Sequence, residues 1–122
     1  MSRVVHFELV AKDPERAIEF YEKTFGWWFK KWDGPMDYWL VMTGKEDQHG
    51  IDGGMSKGEP KPGTSVNTID VDNIDRFIKK IEDAGGKITR TKSAVPGVGW
   101  LAYFEDTEGN QFGMMQPDQN AK

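Results

Sequence analysis

Two residues near the start of the chain, His6 and Glu8, carry groups that can move a proton. An imidazole titrates near neutral pH, and a neighbouring carboxylate can orient it. The apolar residues Val5, Phe7 and Leu9 alternate with them, and this alternation predicts a strand with His6 and Glu8 on one face. They are the candidate catalytic residues. The alternative is that His6 hydrogen-bonds to a neighbour and lines a pocket without taking part in chemistry.

The predicted strand belongs to a pattern that the chain repeats once, at an offset of 60 residues. Each copy reads as an alternating strand, an Asx residue suited to cap a helix, an amphipathic helix and a closing glycine. Four identities link the copies: Arg16 with Arg76, Ile18 with Ile78, Glu22 with Glu82 and Gly26 with Gly86. Because two copies are too few for a solenoid, we expect two pseudo-symmetric halves of one domain spanning residues 1–122.

Short strand-like runs separated by turn residues follow each predicted helix. They cover residues 28–32, 38–43 and 50–55 in the first half, and 87–91, 100–105 and 111–116 in the second. Each half is therefore a βαβββ module. We predict an α+β fold in which modules 1–57 and 64–118 form a concave, cup-like mixed sheet with helices on its outer face. Residues 56–63, rich in Lys, Gly and Pro, are the predicted hinge, and residues 119–122 are expected to fray.

The composition indicates where the protein resides in the cell and which classes of partner it lacks. The chain of 122 residues is long enough to bury a core without cross-links, and it contains no cysteine for disulfides or thiol nucleophiles. The sequence shows no apolar run of membrane-spanning length and no signal-peptide-like stretch at its start. A formal net charge of -4 with both signs interspersed argues against nucleic acid. We expect a cytoplasmic protein with neither nucleic-acid nor membrane partners.

Two stretches of the chain resemble the vicinal-oxygen-chelate superfamily, which includes glyoxalases, extradiol dioxygenases, fosfomycin resistance enzymes and bleomycin-resistance proteins. The first comprises His6-Phe7-Glu8, Asp13-Pro14-Glu15-Arg16-Ala17, Phe20-Tyr21 and Phe25-Gly26-Trp27, and the second is the hairpin Phe104-Glu105-Asp106-Thr107-Glu108-Gly109-Asn110-Gln111-Phe112-Gly113. The resemblance covers nearly the whole chain and agrees with the internal repeat. It implies a ligand site in the concave sheet and assembly as a homodimer.

The resemblance also tests for a metal site, because metal-dependent members bind a divalent ion through His, Gln or Glu at four strand positions. His6 matches the first of these positions. The other three fall on Gly53 or Gly54, on Val66 and on Gly113, which have no donor atoms. A catalytic divalent ion needs about three protein ligands. We therefore expect no metal and no other cofactor, and we expect the side chains of His6 and Glu8 to point in parallel rather than to converge.

Aromatic and methionine side chains on the later strands are candidates for the wall of a ligand pocket. Such side chains suit a flat, apolar or cationic ligand, although they would equally serve to close the core. With the strand positions expected to share the face of His6, they give the predicted ligand-binding set: Trp39, Met55, Val66, Thr68, Trp100, Gly113 and Met115.

The favoured function is the binding of a small organic molecule by a metal-free homodimer, with the identity of the ligand left open. One alternative is a lyase, isomerase or dioxygenase that uses His6 and a divalent ion completed by Glu8 or by a partner chain. A second alternative is a non-catalytic interaction protein whose open sheet binds another polypeptide.

Overall fold

The computed structural model describes residues 2–61 and 65–122. These residues form eight strands and two helices, in the order β1 (Val4–Ala11), α1 (Pro14–Phe25), β2 (Trp28–Lys31), β3 (Tyr38–Met42), β4 (Asp52–Lys57), β5 (Val66–Asp70), α2 (Ile74–Asp83), β6 (Lys87–Val95), β7 (Gly99–Glu105) and β8 (Gln111–Pro117). The order is βαβββ twice, so the predicted α+β class and the two modules are confirmed. Neither helix is long and apolar enough to cross a membrane.

The chain divides into two compact units whose boundary lies close to the repeat. One unit contains residues 6–65, and the other joins residues 66–122 to the first five residues. Within the second unit, the amide of Asp70 donates to the carbonyl of Arg3 at 2.9 Å, which ties the start of the chain to β5. The predicted hinge, residues 56–63, includes the last two residues of β4. Residues 62–64 and Met1 lie outside the described residues.

In the first module the strands lie in the order β2-β3-β4-β1. β1 and β4 are parallel, and the other neighbours are antiparallel. Residues paired across strands point to the same face of a sheet, and Tyr38 pairs with Ser56, which pairs with Val10. Since Val10 shares the parity of His6 and Glu8, Tyr38 lies on their face. We call this surface the His6 face.

The opposite face of the first module packs on α1. The side chain of Asp13 caps the helix by accepting the amide of Arg16 at 3.1 Å, and Gly26 ends it with a left-handed φ of 73°. Val41 and Met55 are fully buried in the cluster beneath α1. The apolar half of the β1 alternation therefore contributes to the core and leaves the polar half on the His6 face.

The second module repeats this architecture with the strand order β5-β8-β7-β6. Asn73 caps α2 by accepting the amide of Arg76, and the side-chain oxygen of Gln116 on β8 accepts the amide of Ile74 at 2.9 Å. Ile74 and Ala102 are fully buried in the core beneath α2. Two backbone amides at the start of α2 thus find acceptors, one in the helix cap and one on a neighbouring strand.

The C-terminal residues are held in place, and the expectation that they fray is wrong. Ala121 is 3% exposed, and its carbonyl accepts the amide of Gly97 at 3.0 Å. The amide of Asp118 donates to the carbonyl of Val98 at 3.0 Å. The turn between β6 and β7 therefore supplies both a donor and an acceptor to the end of the chain.

Candidate functional site

Three polar side chains of the first module meet on the His6 face. His6 Nε2 lies 2.9 Å from Glu8 Oε1 and 3.2 Å from the Tyr38 hydroxyl. The same hydroxyl donates to both Glu8 carboxylate oxygens, at 2.9 and 3.1 Å. The side chains of His6 and Glu8 are 32% and 25% exposed. We call these three residues the polar cluster; it is partly buried and partly exposed to solvent.

The polar cluster corrects one expectation from the sequence. The side chains of His6 and Glu8 converge, because the flexible glutamate bends along the strand toward the imidazole. Since a carboxylate accepts hydrogen bonds and does not donate them, the contact places a hydrogen on His6 Nε2. The second ring nitrogen, Nδ1, then remains as the acceptor of the neutral imidazole. A carboxylate that orients an imidazole in this way is the usual arrangement of a general base and its positioning group.

Tyr38 is a site residue that the sequence analysis did not include. Its contribution depends on the pairing of β3 with β4, which brings residue 38 over the strand next to β1. The signal was present in the aromatic run Tyr38-Trp39, but one of these neighbours must face α1 and the other the His6 face. No local feature of the run decides which.

Apolar side chains surround the polar cluster on the His6 face. Leu40 and Val10 share its parity and are 36% and 39% exposed. The ring of Trp32 packs edge-on against Tyr38, with centroids 6.0 Å apart and planes at 78°. Apolar side chains thus flank the polar cluster, on a face that also carries Lys30, Asp52 and Ser56.

A tyrosine lies over a glycine in each module. A Cβ at Gly54 would overlap the hydroxyl of Tyr38, and a Cβ at Gly113 would lie 3.2 Å from the ring of Tyr103. Gly54 pairs with Glu8 on β1, and Gly113 pairs with Thr68 on β5. The two glycines therefore occupy equivalent positions in the two modules, and an aromatic ring occupies the space that a side chain would take.

The structure does not bring Trp39, Met55 and Trp100 to the faces that lie away from the helices. Trp39 and Met55 pair with each other and belong to the core beneath α1, where Met55 is fully buried. Trp100 packs in the core beneath α2, and its indole nitrogen donates to Asp118 at 3.0 Å. The strand register gives these three residues the parity of the core.

The other four predicted binding residues lie together in the second module, on the face away from α2. Thr68 pairs with Gly113, and Met115 pairs with Asp70, which shares the parity of Val66. Thr68 is 5% exposed. The guanidinium of Arg90 lies 5.9 Å from the centroid of Tyr103 on the same face. A role for these four residues in binding a ligand stays a prediction.

Comparison with known proteins identifies the family. A model of the Glyoxalase/Bleomycin resistance protein/Dioxygenase superfamily matches residues 3–114. The chain belongs to this superfamily. A glyoxylase-like domain-containing protein from Didymella fabae is 36% identical over 109 residues, which cover 84% of this chain and 84% of that protein.

Solved structures share the glyoxalase-type fold of this chain. Methylmalonyl-CoA epimerase from Mycobacterium tuberculosis superposes with a TM-score of 0.70 at 12% identity, over 94% of this chain and 87% of the epimerase. A superfamily member from Vibrio splendidus 12B01 superposes with a TM-score of 0.65 at 17% identity, over 95% of this chain and 99% of that one. At these identities the likeness concerns the fold alone.

The superfamily's metal positions do not fit a divalent ion in this glyoxalase-type chain. Within residues 2–61 and 65–122, no group of three or more His, Cys, Asp or Glu side chains is arranged to hold a metal. His6 Nε2 is already engaged by Glu8 and Tyr38. Tyr38 also occupies the space above Gly54. The residues present therefore offer one imidazole and one carboxylate where about three ligands are needed.

Proposed function

We propose that this chain is a small-molecule-binding protein of the glyoxalase/bleomycin-resistance type that holds its ligand on the His6 face. The observation that carries the proposal is the polar cluster of His6, Glu8 and Tyr38, with contacts of 2.9 to 3.2 Å, set among apolar side chains. A few convergent polar groups in an apolar surface are the usual composition of a small-molecule site.

The chemistry of the polar cluster defines the class of ligand. The Glu8 carboxylate has about four lone-pair positions, so it can accept a further hydrogen bond beside those from His6 and Tyr38. Leu40 and the ring of Trp32 provide apolar contact area on the same face. We therefore propose a ligand with a flat or apolar body and at least one hydrogen-bond donor directed at Glu8.

Binding on the His6 face requires no divalent ion in this proposal, and no other cofactor. The basis is the donor set: the polar cluster supplies one imidazole and one carboxylate. Elemental analysis of protein purified without chelator should find no stoichiometric Zn, Ni, Fe or Mn. One ion per chain that disappears in the His6→Ala variant would contradict the metal-free proposal.

The proposed site can be tested by screening a metabolite library for thermal stabilisation. A ligand at 100 times its dissociation constant stabilises the folded state by about 2.7 kcal/mol. Glu8→Gln removes the carboxylate charge and should weaken binding roughly tenfold. Glu22→Gln makes the same chemical change on the exposed surface of α1 and serves as the matched control. Ligands that stabilise wild type and Glu8→Gln equally would place the site away from the His6 face.

A second candidate function is proton transfer on the bound molecule. The observation that favours it is the 2.9 Å contact between His6 and Glu8, because a carboxylate-oriented imidazole can act as a general base. An isomerase of this kind would exchange a ligand proton with solvent. Mass spectrometry after incubation in D₂O would detect the exchange for any ligand found in the screen. Exchange that continues unchanged in His6→Gln would exclude His6 as the base.

We also propose that the protein is a cytoplasmic homodimer. Two large apolar side chains of α1 are strongly exposed, Phe20 at 55% and Phe25 at 60%. Exposed apolar patches on soluble proteins commonly mark interaction sites, and a second copy would cover these side chains. Sedimentation equilibrium at micromolar concentration should give twice the chain mass. A monomer across that range would contradict the assembly.

A further inference from the structure

The first module contains a cavity on its α1 side, opposite the His6 face. Its volume is about 520 Å³, which lies within the range of roughly 300–1,000 Å³ that is typical of ligand pockets. Trp39 and Lys57, which have the parity of the core face, line it from the sheet. Lys12, which precedes α1, and Arg16, in its first turn, line it from the helix side.

Four basic side chains and three carboxylates line this cavity, which gives a surplus of one positive charge. Of its three lining carboxylates, Asp13 accepts the amide of Arg16 at 3.1 Å, and Asp37 pairs with Lys31 at 3.3 Å. Glu15 is the third and is exposed. Lys12 reaches Glu59 at 3.9 Å, with both side chains more than 70% exposed.

Two further cations line the same cavity, those of Arg16 and Lys57. Among the described residues, neither has an ion pair within 4 Å. An exposed ion pair such as that of Lys12 with Glu59 has little interaction energy, so it leaves the Lys12 cation largely available to another anion. The cavity therefore combines three weakly neutralised cations with two exposed carboxylates, Asp13 and Glu15, which leaves a surplus of one positive charge.

The second module provides an internal reference for this charge arrangement. By the offset of 60 residues, the counterpart of Lys12 is Asp72, which pairs with Arg76 at 3.1 Å. By the strand registers, the counterpart of Lys57 is Gln116, whose side chain accepts the amide of Ile74. The second module thus neutralises its arginine with an aspartate, where the first module has two additional lysines.

We propose that the cavity binds a small multivalent anion, carrying phosphate or several carboxylates, through Lys12, Arg16 and Lys57. Trp39, which is half-buried in the wall, would contact an apolar part of the molecule. The backbone of α1 contributes little to recognition, because Asp13 already accepts the amide of Arg16 and residue 14 is a proline without an amide hydrogen. The site is independent of the proposed ligand on the His6 face, since the two lie on opposite faces of the same sheet.

The binding can be measured by NMR titration of the full chain with inorganic pyrophosphate and, separately, with citrate. Saturable shifts in the amides of residues 12, 13, 15, 16 and 57 and in the indole of Trp39 are expected, while the amides of His6 and Glu8 should not move. Binding of pyrophosphate alone would assign a phosphate ligand, and binding of citrate alone a polycarboxylate. Saturation by neither anion would overturn the proposal.

Three charge variants make the titration specific. Lys57→Gln should weaken the affinity for the anion by roughly threefold or more. Lys12→Asp recreates the arrangement of Asp72 and Arg76 and should weaken the affinity for the anion by roughly tenfold or more. Lys30→Gln, an exposed change on the His6 face, is the control and should leave affinity unchanged. Equal weakening by Lys30→Gln and Lys57→Gln would show a general charge effect and overturn the site. Thermal unfolding of each variant verifies that it is folded.

Discussion

Truncating Met55 tests which face of the first module forms the core. Met55 is fully buried among Val41, Leu9 and the residues beneath α1. Leu40 lies on the adjacent strand with the opposite parity and is 36% exposed on the His6 face. The variants Met55→Ala and Leu40→Ala therefore remove side chains of similar size from opposite faces of one sheet.

The expected effects of the two truncations differ severalfold. A fully buried Met→Ala change costs about 2–5 kcal/mol, because the lost transfer energy adds to that of the cavity left behind. Leu40 keeps about a third of its surface in water, so Leu40→Ala should lower the free energy of unfolding by only about 1 kcal/mol. For 122 residues the entropy of unfolding near 60 °C is about 0.26 kcal/mol/K. A loss of 3 kcal/mol then lowers Tm by roughly 12 °C.

Urea unfolding followed by far-UV circular dichroism would give both free energies of unfolding, with differential scanning calorimetry for Tm. Met55→Ala should be much less stable than Leu40→Ala, yet its folded fraction should bind any ligand of the His6 face with wild-type affinity. If the two variants lost equal stability, or if Met55→Ala weakened the ligand at constant folded fraction, Met55 would line the pocket as the sequence analysis predicted. The assignment of faces would then be refuted.

Three further predictions concern single contacts. The amide of Asn120 and then the indole of Trp100 donate to the Asp118 carboxylate and hold its pKa below the ordinary value. The stabilising charge is therefore present above about pH 4 and is lost as the pH falls further, so Tm measured from pH 6 to pH 2 should fall more steeply in wild type than in Asp118→Asn. Gln116→Leu leaves the buried amide of Ile74 without its acceptor and should lower the urea-unfolding free energy by about 1–3 kcal/mol; an unchanged value would mean that water replaces the glutamine. Tyr38→Phe removes the donor to Glu8 and should weaken any ligand of the His6 face severalfold in a calorimetric titration, with Tm changed little because the cluster is partly exposed.

Local sequence signals were sufficient to predict the elements of the fold. The order of strands and helices follows from alternation, from Asp13 and Asn73 as caps, and from Gly26 at a helix end, all of which act within a few residues. Most predicted strand bounds agree within one residue, although β4 covers Asp52–Lys57 rather than residues 50–55 and β6 continues to Val95 rather than ending at residue 91. The shared face of His6 and Glu8 was predicted for the same reason, since it requires only the alternation of one strand.

Strand register could not be predicted from the same signals. Tyr38 and Trp39 are adjacent aromatic residues, and moving the pairing of β3 by one position would exchange their faces. The parity of Trp100 on β7 has the same ambiguity, and its core position follows from the pairing with Ala94 and Gln116. The fixed position of Ala121 was not predicted, because its hydrogen-bond partner, Gly97, lies in a turn distant in the sequence. Each of these outcomes depends on contacts between segments rather than on local preference.

The tyrosine above Gly54 has a consequence for how this chain can evolve. A single substitution of Gly54 to glutamate would place its Cβ on the Tyr38 hydroxyl, so the new carboxylate would be introduced together with a steric conflict. The Tyr38 side chain would have to swing away or be replaced by a smaller one, and either change would remove the hydrogen bonds that it donates to Glu8. The two positions are therefore epistatic, and the order of mutations matters. Laboratory selections for metal-dependent activity should begin from libraries that vary positions 38 and 54 together.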